Sequence, residues 1–162
     1  MLDKNTNFSD YLCIIVRLAV QRLDLPEEMN GKQTIWDPLR KKEVALTPEE
    51  KVRQWFISVL IQQMEVPAHM MMSEAGFKLG EKQFRADILV YDRSVKPLMV
   101  VECKRPEVEL TMDVLDQAIR YNMVLDVKYI IITNGNNTCI CGKNGNGYSF
   151  IHSLPKYNEM IK

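Results

Sequence analysis

Charged residues in two apolar segments of the chain have the types and spacing that phosphate chemistry requires. Asp87 lies in one segment, and Glu102, Cys103 and Lys104 are consecutive in the next. Residues two apart in a strand point to the same face, so Glu102 and Lys104 share one face and Cys103 takes the other. If the two segments pair as a hairpin, Asp87 lies beside Glu102 on the face that also carries Lys104.

Two neighbouring carboxylates in such a sheet need a compensating positive charge. At about 4 Å they repel by roughly 4 kcal/mol at an effective dielectric near 20. A bound divalent cation removes this repulsion, and ligation by oxygen alone suits Mg²⁺ or Mn²⁺. Such a metal binds a phosphate oxygen and lowers the pKa of a bound water. The ammonium of Lys104 could orient the attacking water or neutralise charge that develops on the phosphate.

The elements that must position these residues are two helices and a series of strands. Thr47, Pro48 and Glu50 form a capping box that starts a helix running to about residue 64. Thr111 caps a second helix that runs to about residue 125. Apolar or alternating segments predict strands at 70–80, 84–91, 98–104 and 128–133, and a final hairpin at 138–142 and 148–152. This order predicts an α/β fold, a mixed central sheet flanked by helices with a small C-terminal hairpin.

The 162 residues predict one domain. We divide it into an N-terminal extension of uncertain structure at 1–46, a core at 47–142, and a terminal hairpin and tail at 143–162. Ser9 could cap a helix to about residue 23, although strand is equally compatible with that stretch. The basic sequence at 40–42 predicts a solvated turn, with a phosphate contact as the alternative.

The composition is that of a packed globular protein, with 46% apolar and 26% charged residues. Because 21 Lys and Arg balance 21 Asp and Glu, the formal net charge is zero, and any contact with nucleic acid must be local or supplied by a partner. The longest apolar run has six residues, far short of the roughly 20 that a membrane span needs. We therefore expect a cytoplasmic chain without membrane contact.

The four cysteines, at positions 13, 103, 139 and 141, lack the spacing of a zinc site. Residues 139 and 141 are two apart, so both thiols could point into the core from one strand. A disulfide framework is equally unsupported by this pattern. We therefore predict that the cysteine thiols are free and buried.

Five sequence pieces, in order, resemble the N-terminal nuclease domains of type I restriction enzyme R (motor) subunits, which belong to the PD-(D/E)xK nuclease superfamily. The similarity covers roughly residues 37–142. The pieces are Thr47-Pro48-Glu49-Glu50-Lys51-Val52-Arg53-Gln54, Arg85-Ala86-Asp87-Ile88, Glu102-Cys103-Lys104-Arg105-Pro106, Gln117-x-x-x-Tyr121 and Thr133-Asn134-Gly135.

The resemblance implies a restriction-endonuclease-like α-β-β-β-α-β core and a Mg-dependent DNA endonuclease. Asp87 and Glu102 would hold the metal, with the backbone carbonyl of Cys103 as a further ligand. Lys104 would act on the water or the scissile phosphate. The family usually adds an acidic residue from the first helix.

The first helix offers two candidates for that acid. Glu49 shares a helix face with Val52, which turns it toward the sheet, whereas Glu50 stands where a capping-box glutamate folds back on the cap. We favour Glu49 for the metal-side role and Glu50 for capping, and the alternative assignment stays open.

Further candidates come from the second strand and the second helix. Gln117 and Tyr121 match the helix motif that supports the active lysine and the DNA strand in related nucleases, although a polar pair at the edge of a buried face would give the same spacing. Arg85 and Arg105 are candidate DNA contacts, and a structural salt bridge is an equal reading of Arg85. Glu74 is expected to be a solvated charge, with a further acidic neighbour of the site as the alternative.

The leading functional hypothesis is therefore a metal-dependent endonuclease of the type I restriction R-subunit kind. Its expected partners are DNA and separate specificity, methylation or ATP-driven motor subunits. One alternative is a catalytically silent nucleic-acid-binding or scaffold module with a nuclease fold. A repair or junction nuclease is a further alternative that uses the same chemistry.

Overall fold

The computed structural model describes residues 33–162, so the predicted structure around Ser9 and the state of Cys13 lie outside the described residues. Short 3₁₀ turns stand at Ala68–Met70 and Met123–Leu125. The principal elements in chain order are β1 (Thr34–Asp37), β2 (Lys42–Ala45), α1 (Pro48–Gln62), β3 (Met71–Leu79), β4 (Lys82–Tyr91), β5 (Pro97–Cys103), α2 (Met112–Asn122), β6 (Tyr129–Thr133), β7 (Thr138–Asn144), β8 (Gly147–Phe150) and α3 (Tyr157–Met160).

The strands form two sheets. β1 and β2 pair as an antiparallel hairpin, and the other six strands form one sheet in sequence order, β3 to β8. Every neighbouring pair in the larger sheet is antiparallel except β5 and β6, which are parallel because α2 carries the chain across one face between them. The predicted mixed α/β sheet with flanking helices and a C-terminal hairpin is confirmed. The short helix α3 was not predicted.

One face of the sheet packs against α1. Val52, Phe56 and Leu60 recur at helical spacing along α1 and are buried. They belong to the same apolar cluster as Met99 and Val101, which alternate along β5. Cys103 continues this alternation and is buried in that cluster. Because successive residues of a strand point to opposite faces of the sheet, Glu102 and Lys104 lie on the side opposite to Cys103.

The other face packs against α2. Leu115 and Ile119 lie one helical turn apart and join a second apolar cluster with Val100, Ile130 and Ile132. β5 and β6 are therefore covered on both faces, which explains their nearly continuous apolar sequences. This packing on both faces fixes the position of the end of β5, where the sequence changes from the apolar Val101 to charged residues.

The predicted capping box at the start of α1 forms only in part. Thr47 Oγ1 accepts a hydrogen bond from the backbone N–H of Glu50 at 3.1 Å, as predicted. The N–H of Thr47 donates to the carbonyl of Ala45 at 3.0 Å, however, and the Glu50 side chain turns elsewhere. The capping role predicted for the Glu50 carboxylate is therefore wrong.

Cys103, Cys139 and Cys141 are free and buried, as predicted. Burial raises the pKa of the Cys139 thiol to about 11 and raises those of Cys103 and Cys141 as well. These thiols are therefore packing groups at neutral pH. Among residues 33–162, no helix has the length and apolar character needed to cross a bilayer.

Candidate active site

An open cleft of about 660 Å³ lies between the start of α1, the strands β4 and β5, and the helix α2. Several apolar residues of α2 and the loop before it complete the walls. The predicted catalytic side chains all line it, namely Glu49, Asp87, Glu102, Lys104, Gln117 and Tyr121. The fold therefore brings these six sequence candidates together at one cleft.

Asp87 and Glu102 lie on adjacent strands. The antiparallel register pairs Ile88 with Val101, so the next positions toward the end of the sheet are Asp87 and Glu102. Burial raises the pKa of Glu102, the negative charge of Asp87 raises it further, and the neighbouring Lys104 opposes both effects. The two carboxylates thus interact across the cleft floor, as expected.

Lys104 follows directly after β5 and is fixed at both ends. Its backbone N–H donates to the carbonyl of Thr133 at 2.8 Å, and its Nζ donates to Glu102 Oε1 at 2.9 Å. Burial alone would lower the pKa of Lys104, but the hydrogen bond and charge of Glu102 and the charge of Asp87 raise it. The side chain is therefore an ammonium at neutral pH and acts by charge and hydrogen bonding.

Arg53 is a central residue of the site that sequence reasoning missed. Its side chain is 4% exposed, and its Nη2 contacts Asp87 Oδ1 at 3.0 Å and Glu74 Oε1 at 2.7 Å. It also pairs with Glu50 and, at 3.4 Å, with Glu49. The available signal was its spacing of three and four residues from the two acids on one helix, which places all three on neighbouring positions of the helix surface.

The charge of Arg53 is secured by its neighbours. Burial by itself would lower the pKa of the guanidinium, but the charges of Asp87 and Glu50 outweigh that effect and raise it. An organic cation therefore already compensates part of the acidic charge that the sequence assigned to a metal. A metal is therefore not the only source of compensating positive charge near Asp87 and Glu102.

The two candidate acids of α1 have separate environments. Glu49 lines the cleft, and its side chain is 43% exposed. Glu50 is buried and does not line the cleft; it pairs with Arg53, with Arg40 at 2.6 Å, and accepts from Gln54 Nε2 at 2.9 Å. The fold thus puts Glu49 on the cleft side and makes Glu50 a partner of the basic residues behind it.

Two side chains expected to be solvated, Arg40 and Glu74, are instead only partly exposed and are held in ion pairs. Arg40 bridges Asp37 at 2.5 Å and Glu50 at 2.6 Å, so the turn at 40–42 is solvated only in part. Glu74 is 15% exposed and pairs with Arg53 and Arg85. The turn prediction holds for the exposed Lys41 and Lys42 and is wrong for Arg40, and the solvated charge predicted at Glu74 is wrong. Acids and bases from distant positions of the chain pair with each other, which local sequence does not reveal.

The candidate DNA contacts divide into two groups. Arg85 lines the cleft, its side chain is exposed, and its backbone N–H donates to the hydroxyl of Tyr121 at 3.2 Å. The Tyr121 ring packs on Phe84, with 5.3 Å between ring centroids. Arg105 is exposed but does not line the cleft. Within the described part of the chain, no hydrogen bond joins Gln117 or Tyr121 to the Lys104 side chain.

A family model supplies the decisive comparison. The model for the type I restriction enzyme R protein N terminus matches residues 48–155, which is more than half of the chain. The chain belongs to this family. No curated protein matches the sequence.

A solved structure supports the fold of this R protein N-terminal domain. It is a fragment assigned to the HsdR subunit of a type I restriction enzyme from Vibrio vulnificus YJ016, with a TM-score of 0.53 and 18% sequence identity. The match covers 72% of this chain and 25% of the fragment. The chain therefore spans about a quarter of the length of the fragment, and at this identity the likeness concerns the fold.

The R protein N-terminal domain has a network of charged side chains that extends from the cleft to the β1–β2 hairpin. A continuous set of ion pairs and charge contacts joins six carboxylates to four basic side chains, which leaves two negative charges when all are ionised. The acids are Asp37, Glu49, Glu50, Glu74, Asp87 and Glu102, and the bases are Arg40, Arg53, Arg85 and Lys104.

The donor atoms at the cleft floor are oxygens, which fit Mg²⁺ or Mn²⁺ rather than a soft metal. Glu102 Oε2 has no hydrogen-bond partner among residues 33–162, whereas Oε1 is taken by Lys104. Over the same residues, no three His, Cys, Asp or Glu side chains converge in an arrangement that could hold a metal ion. The Asp87 and Glu102 pair thus offers two carboxylates, and further ligands would have to come from backbone or solvent.

Proposed function

We propose that this domain is a DNA endonuclease of the PD-(D/E)xK kind that hydrolyses phosphodiester bonds with Mg²⁺ or Mn²⁺. The observation that carries the proposal is that Asp87, Glu102 and Lys104 line one open cleft, with the two carboxylates at neighbouring positions of adjacent strands. Membership in the family of type I restriction enzyme R proteins agrees with this activity.

The metal would be held by Asp87, Glu102 and the backbone carbonyl of Cys103, with water completing the shell. Mg²⁺ commonly binds through one or two carboxylates and keeps several waters, so a third acidic ligand is not required. When bound, the metal supplies Lewis acidity toward a phosphate oxygen and toward the attacking water.

The residues of the chain itself would bind and stabilise the reacting phosphate. Lys104 remains protonated, so its ammonium can neutralise charge that develops on the phosphate or orient the attacking water. Glu102 holds Lys104 Nζ at 2.9 Å and thereby aims it into the cleft. Glu49 lies at the cleft wall, where its exposed carboxylate can accept a hydrogen bond from water.

DNA would be bound locally at the mouth of the cleft. Arg85 offers an exposed guanidinium there, and Gln117 and Tyr121 present polar groups from α2. Arg105 would contact the DNA backbone outside the cleft. Because the chain has no net charge, strong DNA association and sequence choice would depend on separate specificity, methylation or ATP-driven motor subunits.

A DNA-binding module without cleavage is the second candidate, and a specific observation favours it. Arg53 contacts Asp87 and Lys104 contacts Glu102, so each acid already has a fixed cation. Such pairing reduces the electrostatic need for a metal. In this case the cleft would bind a DNA strand through Arg85 while Asp87 and Glu102 serve only the fold.

Plasmid cleavage distinguishes the two candidates. The purified chain is incubated with supercoiled plasmid and with single-stranded DNA in Mg²⁺, Mn²⁺ or EDTA, alongside Asp87→Ala and Lys104→Ala. The matched controls are Asp113→Ala and Lys82→Ala, which alter exposed residues outside the cleft. Metal-dependent nicking that only the cleft variants lose supports the nuclease. Metal-dependent nicking that survives in both cleft variants, or no nicking by the unaltered chain under any condition, rejects it.

A further inference from the structure

We infer that Arg53 is a positioning residue for the metal-binding carboxylate of Asp87, a role that rests on the proposed function. The guanidinium approaches Asp87 Oδ1 at 3.0 Å from α1. On the other side, the backbone N–H of Cys103 donates to Asp87 Oδ2 at 2.6 Å. Both carboxylate oxygens are therefore held, one by a side chain and one by the main chain.

This double attachment fixes the direction of the Asp87 carboxylate while leaving it able to bind a cation. A carboxylate oxygen has two lone pairs, so each oxygen of Asp87 keeps one after accepting its hydrogen bond. The rotation of the carboxylate group is thereby restricted before any ligand arrives. Such outer contacts orient metal ligands and typically change metal affinity by about 10–100-fold when removed.

Arg53 can impose a direction because it is itself rigidly held. Its side chain is 4% exposed and is bound by Glu50 and Glu74 from different elements. Arg40 contacts Glu50 in turn, at 2.6 Å, so the same set of ion pairs extends to the β1–β2 hairpin without a contact between Arg40 and Arg53. The planar fork of an arginine allows these simultaneous contacts, which a lysine ammonium cannot reproduce with the same geometry.

Arg53 donates hydrogen bonds to the neighbouring acids but does not use all of its donors. Its Nε is buried and has no hydrogen-bond partner among residues 33–162, although both Nη atoms contact carboxylates. A buried unpaired donor opposes stability. Arg53 therefore reaches the acids around Asp87 through its two Nη atoms alone.

A double-mutant cycle without metal or DNA tests the contact between Arg53 and Asp87. Urea unfolding is measured in EDTA for the unaltered chain, Arg53→Met, Asp87→Asn and the double variant. A direct contact predicts that the double variant loses less stability than the two single losses added together. Additive losses would overturn the inference whether or not the chain is a nuclease.

A Mn²⁺ titration by calorimetry then tests the positioning role. We expect the Mn²⁺ dissociation constant to rise about 10–100-fold in Arg53→Met. Arg40→Met is the matched control, because it removes the same charge from the same ion-pair set without touching Asp87. Tighter binding by both variants would overturn positioning, since loss of a nearby positive charge by itself favours a bound cation. Equal weakening by both would also overturn it, since Arg40 does not contact Asp87.

Arg53→Lys is the second variant and keeps the charge, which guards against loss of the fold in Arg53→Met. Its Mn²⁺ dissociation constant should remain raised, because the fork geometry is lost; full recovery of affinity would overturn the inference. Failure of the unaltered chain to bind Mn²⁺ would reject the metal-dependent function and, with it, the metal-positioning role. The double-mutant cycle in EDTA would still show whether the effects of Arg53 and Asp87 on stability are coupled.

Discussion

The backbone N–H of Cys103 donates a hydrogen bond of 2.6 Å to Asp87 Oδ2. This bond connects Asp87 to the segment 102–104 through the main chain, so it does not depend on the Cys103 side chain. That side chain points into the apolar core beneath α1. The position of Asp87 relative to Glu102 and Lys104 is therefore set by the pairing of β4 with β5.

Glu102→Gln should stabilise the metal-free domain at neutral pH. Burial and the charge of Asp87 raise the pKa of Glu102 above its ordinary value of 4.5. Between that value and the raised pKa, the folded state binds more protons than the unfolded state, so stability falls as pH rises. Glutamine mimics the protonated form and escapes this loss.

Urea unfolding in EDTA checks this prediction at two pH values. The difference between Glu102→Gln and the unaltered chain should be present at about pH 7 and small at about pH 4, where the carboxyl is protonated in both states. Added Mn²⁺ should stabilise the unaltered chain and not the variant. A variant that is less stable than the unaltered chain at neutral pH in EDTA would refute the unfavourable burial of this charge.

Arg85→Ala should weaken DNA binding and reduce its dependence on salt. Arg85 is an exposed arginine at the cleft that is paired with Glu74, so a phosphate could share its guanidinium. Loss of one phosphate contact lowers the slope of log affinity against log salt by about 1. Fluorescence anisotropy with a labelled duplex at several salt concentrations measures this slope.

Arg120→Ala provides the matched comparison for Arg85→Ala. The two arginine side chains are 67% and 66% exposed respectively, and each is paired with one carboxylate, but Arg120 does not line the cleft. We expect its removal to leave the salt slope unchanged. Equal effects of the two substitutions would mean that DNA senses the overall charge and does not bind at this cleft.

Gly135→Ala should destabilise the domain where the chain passes the start of α1. Gly135 has a φ of 86°, and an added Cβ would lie 3.3 Å from Cγ2 of Val52. A left-handed backbone at a residue other than glycine costs about 1–3 kcal/mol, and the close contact adds to this. Thermal and urea unfolding should show the loss.

Gly76→Ala is the control for the glycine substitution. Gly76 has no atom within 4 Å of an added Cβ and no positive φ. Its replacement should change the unfolding free energy by less than about 0.5 kcal/mol. Similar losses at both glycines would show that the packing of Gly135 on α1 is not the cause.

Local sequence patterns were sufficient for the elements that position the site. The alternation along β5 separated Cys103 from Glu102 and Lys104, and the Thr47 cap located α1. The first feature depends on the alternation of side chains along a strand, and the second on residues within one helical turn. Both can therefore be predicted from a single segment of the sequence.

The ion pairs around Arg53 could not be predicted in the same way. Arg53 contacts Glu74 and Asp87 only because α1 packs across β3 and β4, and these residues are far apart in the sequence. The same limit explains why Glu50 was assigned to the helix cap. Its strongest partners include Arg40, which reaches it from the β1–β2 hairpin.

The most direct test of the account is a calorimetric titration of Mn²⁺ into the metal-free chain. Asp87→Asn and Glu102→Gln remove one cleft carboxylate each, and Asp113→Asn removes an exposed carboxylate outside the cleft. We predict one bound Mn²⁺ per chain, lost in both cleft variants and retained in Asp113→Asn. Absence of binding by the unaltered chain, or binding that survives both cleft substitutions, would contradict a cation site between Asp87 and Glu102.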